Sequence, residues 1–458
     1  MSTTRAVAPV RRQPAVCLVS LGCARTLVDS ELYLGKLVQA GYRVVDGVEQ
    51  ADVAVINTCS FIQDSIQESI DTILQTTELK AQGKLKAVIV AGCLVQRFKG
   101  DLIKELPEVD GFVGVDGFGD IDVVVQRAIA GSPLSVVRPH PVTLPQGPAA
   151  RVALTPSHYA YLKISEGCLK GCAFCIIPKI KGPLASRSIE ELVEEATELV
   201  ETRGVKELVI VGQDTSDYGV DRYGVPRIAD LLRALDRVPG VRWMRLLYCH
   251  PRGISPQLVE AIRDLPTMCK YLDAAIEHAD DEVLRLMNRG ITQAQLRRTI
   301  EALRRAVPSI ALRTSVIVGF PGETEAAFAN LQAFVQEVRF ERLGTFRYSP
   351  EEGTAAVRAP NQVPEAVRQA RYEQLMQLQQ EISQELTRRR IGQTLEVLID
   401  EADASDPALF VGRTASDAPE VDGAVYVRSP RVSLKPGQLV PVRVTDAYEY
   451  DLVGEAVS

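Results

Sequence analysis

Three apolar runs near the start of the chain each close on a cysteine. "VSLGC", "VINTC" and "IVAGC" end at Cys23, Cys59 and Cys93, with spacings of 36 and 34 residues. Each spacing is about one strand, one helix and two turns. Amphipathic stretches such as "SELYLGKLVQAG" lie between the runs. Apolar strands alternating with amphipathic helices form parallel βαβ units, because a parallel pair needs a long crossover. Such a sheet collects successive strand ends at one carboxyl edge, where open α/β sheets place ligands. The pattern therefore predicts three thiols gathered at one edge; chance alignment is the competing reading. Cys17, inside its run, reads as packing, as do Cys249 and Cys269.

The fold class predicted for the whole chain is α/β and multidomain. Residues 1–132 form the open parallel α/β sheet. A proline-rich linker spans 133–156, with Pro133, Pro139, Pro141, Pro145, Pro148 and Pro156. Residues 157–390 form a second α/β region. Its strand candidates are "YAYLKIS", "ELVIVGQ", "WMRLLYC", "YLDAAIE", "IALRTSVIVGF" and "RLGTFRYS". Six βα repeats are too few for an eight-fold barrel, so a partial barrel is expected. A helix over about 364–390 carries the stripe Leu375, Leu378, Ile382 and Leu386. Residues 391–458 show five short strand patterns with turn residues between them, which predicts a small antiparallel, oligonucleotide-binding-like β-barrel. The glycine-rich "GFVGVDGFG" (111–119) does not fit a dinucleotide-binding loop and reads as turns.

Nine cysteines in 458 residues are an odd number in a chain too large to need disulfide staples. Metal or redox chemistry in a reducing, cytoplasmic compartment is expected. No apolar run is long enough to span a bilayer, so no membrane partner is expected. Arg5, Arg11 and Arg12 before an apolar run faintly resemble a signal peptide, but "AVCLVSLGC" reads better as a strand. Residues 391–458 hold 5 basic and 12 acidic residues, which accounts for the whole net charge of −7. Such a module repels a phosphate backbone and attracts a basic partner, or is simply a solubilising surface.

A second constellation is C-x3-C-x2-C in "SEGCLKGCAFC", at Cys168, Cys172 and Cys175. Three thiolates on one tight loop can hold three irons of a 4Fe-4S cluster and leave the fourth open. Zinc is the main rival, but it needs a fourth ligand, and none of the four histidines lies nearby in sequence. The same arithmetic applies to Cys23, Cys59 and Cys93, read as a second three-thiolate cluster.

The C-x3-C-x2-C loop, with Phe174 before its last cysteine, resembles the signature of the radical S-adenosylmethionine (SAM) superfamily. "SLGCARTLVDSE", "NTCSFI", "AGCLVQR", "KISEGCLKGCAFCIIP", "VGQDTSDYG", "RTSVIVGFPGET" and "GRTASDAPEVDG" together resemble the methylthiotransferases. The resemblance implies an N-terminal cluster domain, a radical SAM domain and a C-terminal TRAM domain. It also implies two 4Fe-4S clusters and two SAM molecules per product. One SAM methylates a sulfur at the first cluster. The other yields a radical that takes hydrogen from an unactivated carbon.

"VDSE", "KISEGC", "GQDTSDYG" and "SDAPEVDG" resemble the RimO-type branch, which modifies the β-carbon of an aspartate in small-subunit ribosomal protein S-twelve. The alternative is the branch that modifies transfer-RNA adenosine. A non-enzymatic iron–sulfur RNA-binding or assembly factor is a third reading. The basic ribosomal protein is the implied substrate partner. An electron donor such as flavodoxin or ferredoxin is also implied, and no stable nucleic-acid complex is expected. The resemblance places Phe174 against the adenine of SAM. Gln213, Arg313 and Ser315 are candidate SAM contacts, with strand-end hydrogen bonding as the competing reading. Asp417, Glu420 and Asp422 are candidates for the acidic substrate surface, against turn chemistry alone. Relatives usually carry lysine–asparagine at Arg25–Thr26 and glutamine at Glu277. His278 is near the expected cavity, and a satisfied structural histidine is its competing reading.

Overall fold

The structure, a computed structural model, describes residues 13–138, 144, 150–430 and 432–457. Arg5, Arg11, Arg12 and the linker prolines Pro139, Pro141, Pro145 and Pro148 lie outside the described residues. The chain divides into two compact units, residues 1–143 with 149–154, and 144–148 with 155–458.

The first unit is built on six parallel strands. These are β1 (Ala15–Ser20), β2 (Arg43–Val44), β3 (Val53–Thr58), β4 (Ala87–Gly92), β5 (Gly111–Val113) and β6 (Leu134–Val136). Their order is β2-β1-β3-β4-β5-β6. Every position of β3 and β4 is buried, as a parallel sheet covered on both faces requires. Helices α1 (Ala24–Gln39) and α4 (Ile121–Ile129) cover one face, where Tyr33, Leu37 and Val124 meet Val53, Val55 and Ile89. Helices α2 (Gln63–Ala81) and α3 (Cys93–Glu105) cover the other, where Ile73, Leu94 and Val95 meet Ala54, Ile56 and Val90.

The reading of 111–119 as turns alone is corrected. Gly111–Val113 pairs with both β4 and β6, and α4 follows a 3-10 turn at Gly117–Asp120. A three-residue strand is too short to show a period. Its glycine is needed because a Cβ at Gly111 would lie 2.6 Å from Val124 Cγ1.

In the second unit, β7 (Tyr159–Lys163), β10 (Glu207–Val211) and β11 (Trp243–Leu246) form one parallel sheet. β12 (Tyr271–Asp273), β13 (Ala311–Val318) and β14 (Arg342–Arg347) form another. A two-stranded ribbon, β8 (Ser165–Glu166) with β9 (Ala185–Ser186), follows β7 in the chain. Isolated bridges Met244–Met268 and Cys249–Ala274 connect the β11 and β12 sides, giving the expected partial barrel of six strands. Leu162, Leu208, Leu246, Leu272 and Leu312 pack in the core with the surrounding helices. The alternate positions are polar and meet each other: Arg245 lies 2.7 Å from Glu207 and stacks 4.8 Å over Tyr271. The helix Glu365–Arg388 buries Leu375 and Ile382 in the same core, with Leu378 and Leu386 packed at its edge.

The tail closes into a barrel in the order β15-β16-β17-β19-β18. The strands are β15 (Thr394–Ala402), β16 (Leu409–Thr414), β17 (Val425–Arg428), β18 (Leu439–Ala447) and β19 (Leu452–Ala456). All neighbours are antiparallel except β17 with β19.

Buried charges join this barrel to the base of the partial barrel. Glu207, with no exposed surface, accepts from Arg245 and Arg413 at 2.7 Å each. Arg413 also bonds Asp400 at 2.8 and 2.9 Å, and Asp400 meets His158 Nε2 at 2.8 Å. Burial alone would raise the Glu207 carboxyl, but Arg413 and Arg245 hold it below the usual range. Burial likewise opposes, and is outweighed by, His158 and Arg413 at Asp400 and Arg342 at Asp417.

Glu207→Gln leaves two buried guanidiniums short of a charge. We expect it to cost about 3–5 kcal/mol, read as a lower urea midpoint. The single tryptophan, Trp243, is a natural probe, since Arg245 lies 5.9 Å from its ring. Carboxylates held below their unfolded pKa stabilise the fold above that value. This stabilisation is therefore full at neutral pH and begins to be lost below about pH 4. A Glu207→Gln midpoint equal to the parent's at pH 7 would refute the role of the network.

Candidate metal centres

Cys23, Cys59 and Cys93 follow the carboxyl ends of the adjacent strands β1, β3 and β4. Gly22, at φ +98°, turns the chain out of β1. A Cβ there would lie 2.9 Å from Cys59 Cβ and 3.2 Å from its sulfur, so the glycine admits Cys59 beside the Cys23 turn. Ser69 Oγ accepts from Cys59 N at 3.2 Å and donates to its carbonyl at 2.9 Å. Cys93 opens α3, and Leu94 N is held by Thr58 Oγ1 at 3.3 Å. Cys23 caps α1 and Cys93 begins α3, with no acidic residue in either first turn. The positive end of α1 therefore favours a thiolate at Cys23, whereas α3 is kinked at Lys99 and Cys93 opens only its short first segment.

Arg25 Nε donates to Cys23 Sγ at 3.3 Å, and Thr26 Oγ1 lies 3.7 Å from the same sulfur. Burial would raise this thiol, but the charge and hydrogen bond of Arg25, aided by Thr26, bring it to about 7. The departure at Arg25–Thr26 thus falls on atoms that touch the sulfur.

The second trio lies on the loop after β8. Gly167, at φ +74°, passes so close to Pro183 that a Cβ would stand 2.0 Å from its carbonyl oxygen. Residues 287–289 clamp the loop. Ala173 N donates to Met287 O at 2.9 Å, and Asn288 Nδ2 to Gly171 O at 2.7 Å. Arg289 Nη1 donates to Cys172 Sγ at 3.2 Å, while its Nη2 is fixed on Ala275 O at 2.5 Å. Burial pushes Cys168 up to about 11 and, with repulsion from the other two sulfurs, Cys175 up to about 12. Three thiolates there would need a cation to replace their protons. Among the described residues no three His, Cys, Asp or Glu side chains converge to hold a single metal ion. A cluster takes each thiolate on its own iron.

The other expected residues sit as follows. Phe174 is half-buried, its ring edge-on to Phe320 with centroids 6.4 Å apart. Gln213 donates to Glu166, while its own Oε1 and Ser165 Oγ are buried without a hydrogen-bond partner. Lys163 at 2.8 Å and Lys181 at 3.4 Å hold Glu166, whose carboxyl stays at about 2 although burial opposes this. Ser315 is half-buried and its carbonyl accepts from Glu277 N at 2.9 Å. Glu277 takes a left-handed φ of +66° beside it. Arg313 lies deeper, between Asp273 at 3.2 Å and Asp422 at 3.4 Å. His278 is fully buried; its Nδ1 accepts from Asp280 N at 2.9 Å, and burial lowers it to about 3, so it is neutral.

The barrel turn differs from the expected free acidic surface. Asp417 is 3% exposed and pairs with Arg342 and Thr414. Asp422 accepts from Tyr271 at 2.8 Å and from Ala418 N at 2.9 Å. Glu420 is exposed but takes hydrogen bonds from Tyr159 at 3.0 Å and Tyr161 at 3.2 Å. The interior of the partial barrel is polar, and these carboxylates answer it. Sequence reasoning missed Arg289 and Lys181, for which no local signal exists, and Lys163, which stands at the head of the quoted "KISEGC" motif. Glu166 was visible inside the "KISEGC" motif.

Residues 15–114 match uncharacterized protein family UPF0004, 162–335 the radical SAM superfamily and 391–457 the TRAM domain. The chain is 43% identical over 442 residues to the ribosomal protein uS12 methylthiotransferase RimO of Clostridioides difficile (strain 630), covering 96% of this chain and 98% of that protein. It is 47% identical over 443 residues to the RimO of Anaeromyxobacter sp. (strain Fw109-5), covering 97% and 93%. The chain belongs to the RimO family of ribosomal protein uS12 methylthiotransferases. A likeness of fold alone links it to the radical SAM methyltransferase TsrM of Kitasatospora setae, solved with cobalamin and a [4Fe-4S] cluster. The TM-score is 0.54 at 13% identity, over 93% of this chain and 84% of that one. Gly22 offers a direct test of the cysteine-ended sheet edge. Gly22→Ala is expected to lower iron bound per chain from about eight to about four after reconstitution. Unchanged iron would mean that Cys59 does not need the space beside Gly22.

Proposed function

We propose that this chain adds a methylthio group to the β-carbon of an aspartate of ribosomal protein uS12. The observation that carries the reading is its likeness to RimO proteins over almost the whole length of both chains. Residues 1–132 act as the cluster domain, 157–390 as the radical SAM domain and 391–458 as the TRAM domain. Cys23, Cys59 and Cys93 hold one 4Fe-4S cluster, and Cys168, Cys172 and Cys175 the other. When bound, the clusters and SAM supply one-electron cleavage of SAM and a methylated sulfur for transfer.

The chain's own residues bind and orient. Glu166, fixed by Lys163 and Lys181, holds the Gln213 amide, whose unpartnered Oε1 would be available to SAM. Phe174 would meet the adenine, and Ser315 would be a further contact. Arg313 is occupied by two carboxylates and would act by positioning the strand that carries Ser315. Glu420 lies on the substrate side, while Asp417 and Asp422 anchor the turn that carries it.

The net charge of −7 on residues 391–458, with Glu396, Glu401, Asp446 and Glu455 exposed, suits a basic ribosomal protein better than a transfer RNA. The reaction belongs in the cytoplasm and draws electrons from a flavodoxin or ferredoxin. No described helix is long and apolar enough to cross a membrane.

Mass spectrometry of uS12 and transfer RNA from a deletion strain tests the substrate. The aspartate should lose its methylthio group and regain it on complementation. A methylthiolated aspartate in that strain, with transfer RNA unmodified instead, would sink this reading. Cys23→Ala and Cys168→Ala should each lose about half the iron and keep the other cluster.

A further inference from the structure

Each set of three thiols is approached by one arginine. Arg25 Nε lies 3.3 Å from Cys23 Sγ in the first unit, and Arg289 Nη1 lies 3.2 Å from Cys172 Sγ in the second. The two arginines come from unrelated places. Arg25 sits in the first turn of α1, two residues from the cysteine it touches. Arg289 arrives from a loop 117 residues away in the chain. The Arg289 approach is made across the fold and is not a by-product of local backbone. Arg289 is 6% exposed, and its second guanidinium nitrogen is fixed on Ala275 O, so it is aimed at the sulfur. Arg25 is half-buried on a helix end whose dipole already favours negative charge.

Resting on the two-cluster reading, we propose that Arg25 and Arg289 are positioning residues that set the reduction potential of the cluster each one touches. A cluster gains one negative charge on reduction. A cationic N–H donor on a ligand sulfur stabilises that added charge, so it raises the potential. The effect is strongest where water is excluded, which describes Arg289. A lysine at this position would keep the charge but place it on a flexible stem with no planar fork. Arg25 therefore makes the first cluster of this chain easier to reduce than a lysine would.

The test uses the full-length chain with one cluster at a time. Cys168→Ala, Cys172→Ala and Cys175→Ala together leave the first cluster, and Cys23→Ala, Cys59→Ala and Cys93→Ala leave the second. Each is reconstituted anaerobically and titrated with dithionite while EPR follows the reduced cluster. In the first background, Arg25→Gln should shift the midpoint to more negative potential, and Arg25→Lys should shift it less. In the second background, Arg289→Gln and Arg289→Lys should follow the same order. Iron and sulfide per chain are measured on every sample. A potential that stays fixed in both variants of a pair overturns the proposal for that arginine. So does a loss of iron with no shift in the cluster that remains, since that is a purely structural role. If the backgrounds with native arginines hold no cluster, the two-cluster reading itself fails, which is a distinct result.

Discussion

Parallel strand pairing is the constraint on which both units depend. It places every strand's carboxyl end on one side of its sheet, and chain turns must be made there. In the first unit this brings Cys23, Cys59 and Cys93 out of three adjacent strands. In the second it brings the Cys168 loop, Gln213 and Glu277 past the ends of parallel strands, with Ser315 inside β13 beside Glu277. In the first unit, the start of α1 at Cys23 adds the positive end of a helix to this edge.

The opposite end of the second unit is organised by charge. Glu207 sits between two arginines, and Arg413 brings the closed barrel onto the open one. A polar lumen floor would otherwise leave Arg245 without a counter-charge in a space with no exposed surface. Asp400, Asp417 and Asp422 extend the same logic along the barrel turn. The acidic tail is thus split in its duties. Some carboxylates neutralise buried arginines, and others stay on the surface.

Much of this was legible in the amino-acid order. The long strands, the partial barrel and the five-stranded closed barrel follow from apolar period and turn residues. The β5 strand did not, because three residues carry no period and the four glycines of 111–119 suggested turns. The cysteine sets were legible because their spacing matches one βα repeat or one tight loop. Asp417 was misplaced because a carboxylate beside a turn looks the same in sequence whether it faces water or a buried arginine. Arg313 was read as a ligand contact for a similar reason, since its partners Asp273 and Asp422 are remote in the chain.

The sequence by itself determined which thiols are available, which strand ends carry them and which family the motifs resemble. Those properties are local, since a periodic run and a cysteine spacing need no distant partner. Tertiary structure alone decided which cations meet those thiols. Arg25 could be noted as a departure, but only the α1 turn shows its nitrogen on the Cys23 sulfur. Arg289 had no signal at all, because its contact with Cys172 is made across the fold. Charge pairing in a buried site depends on distance in space, and spacing along the chain does not encode it.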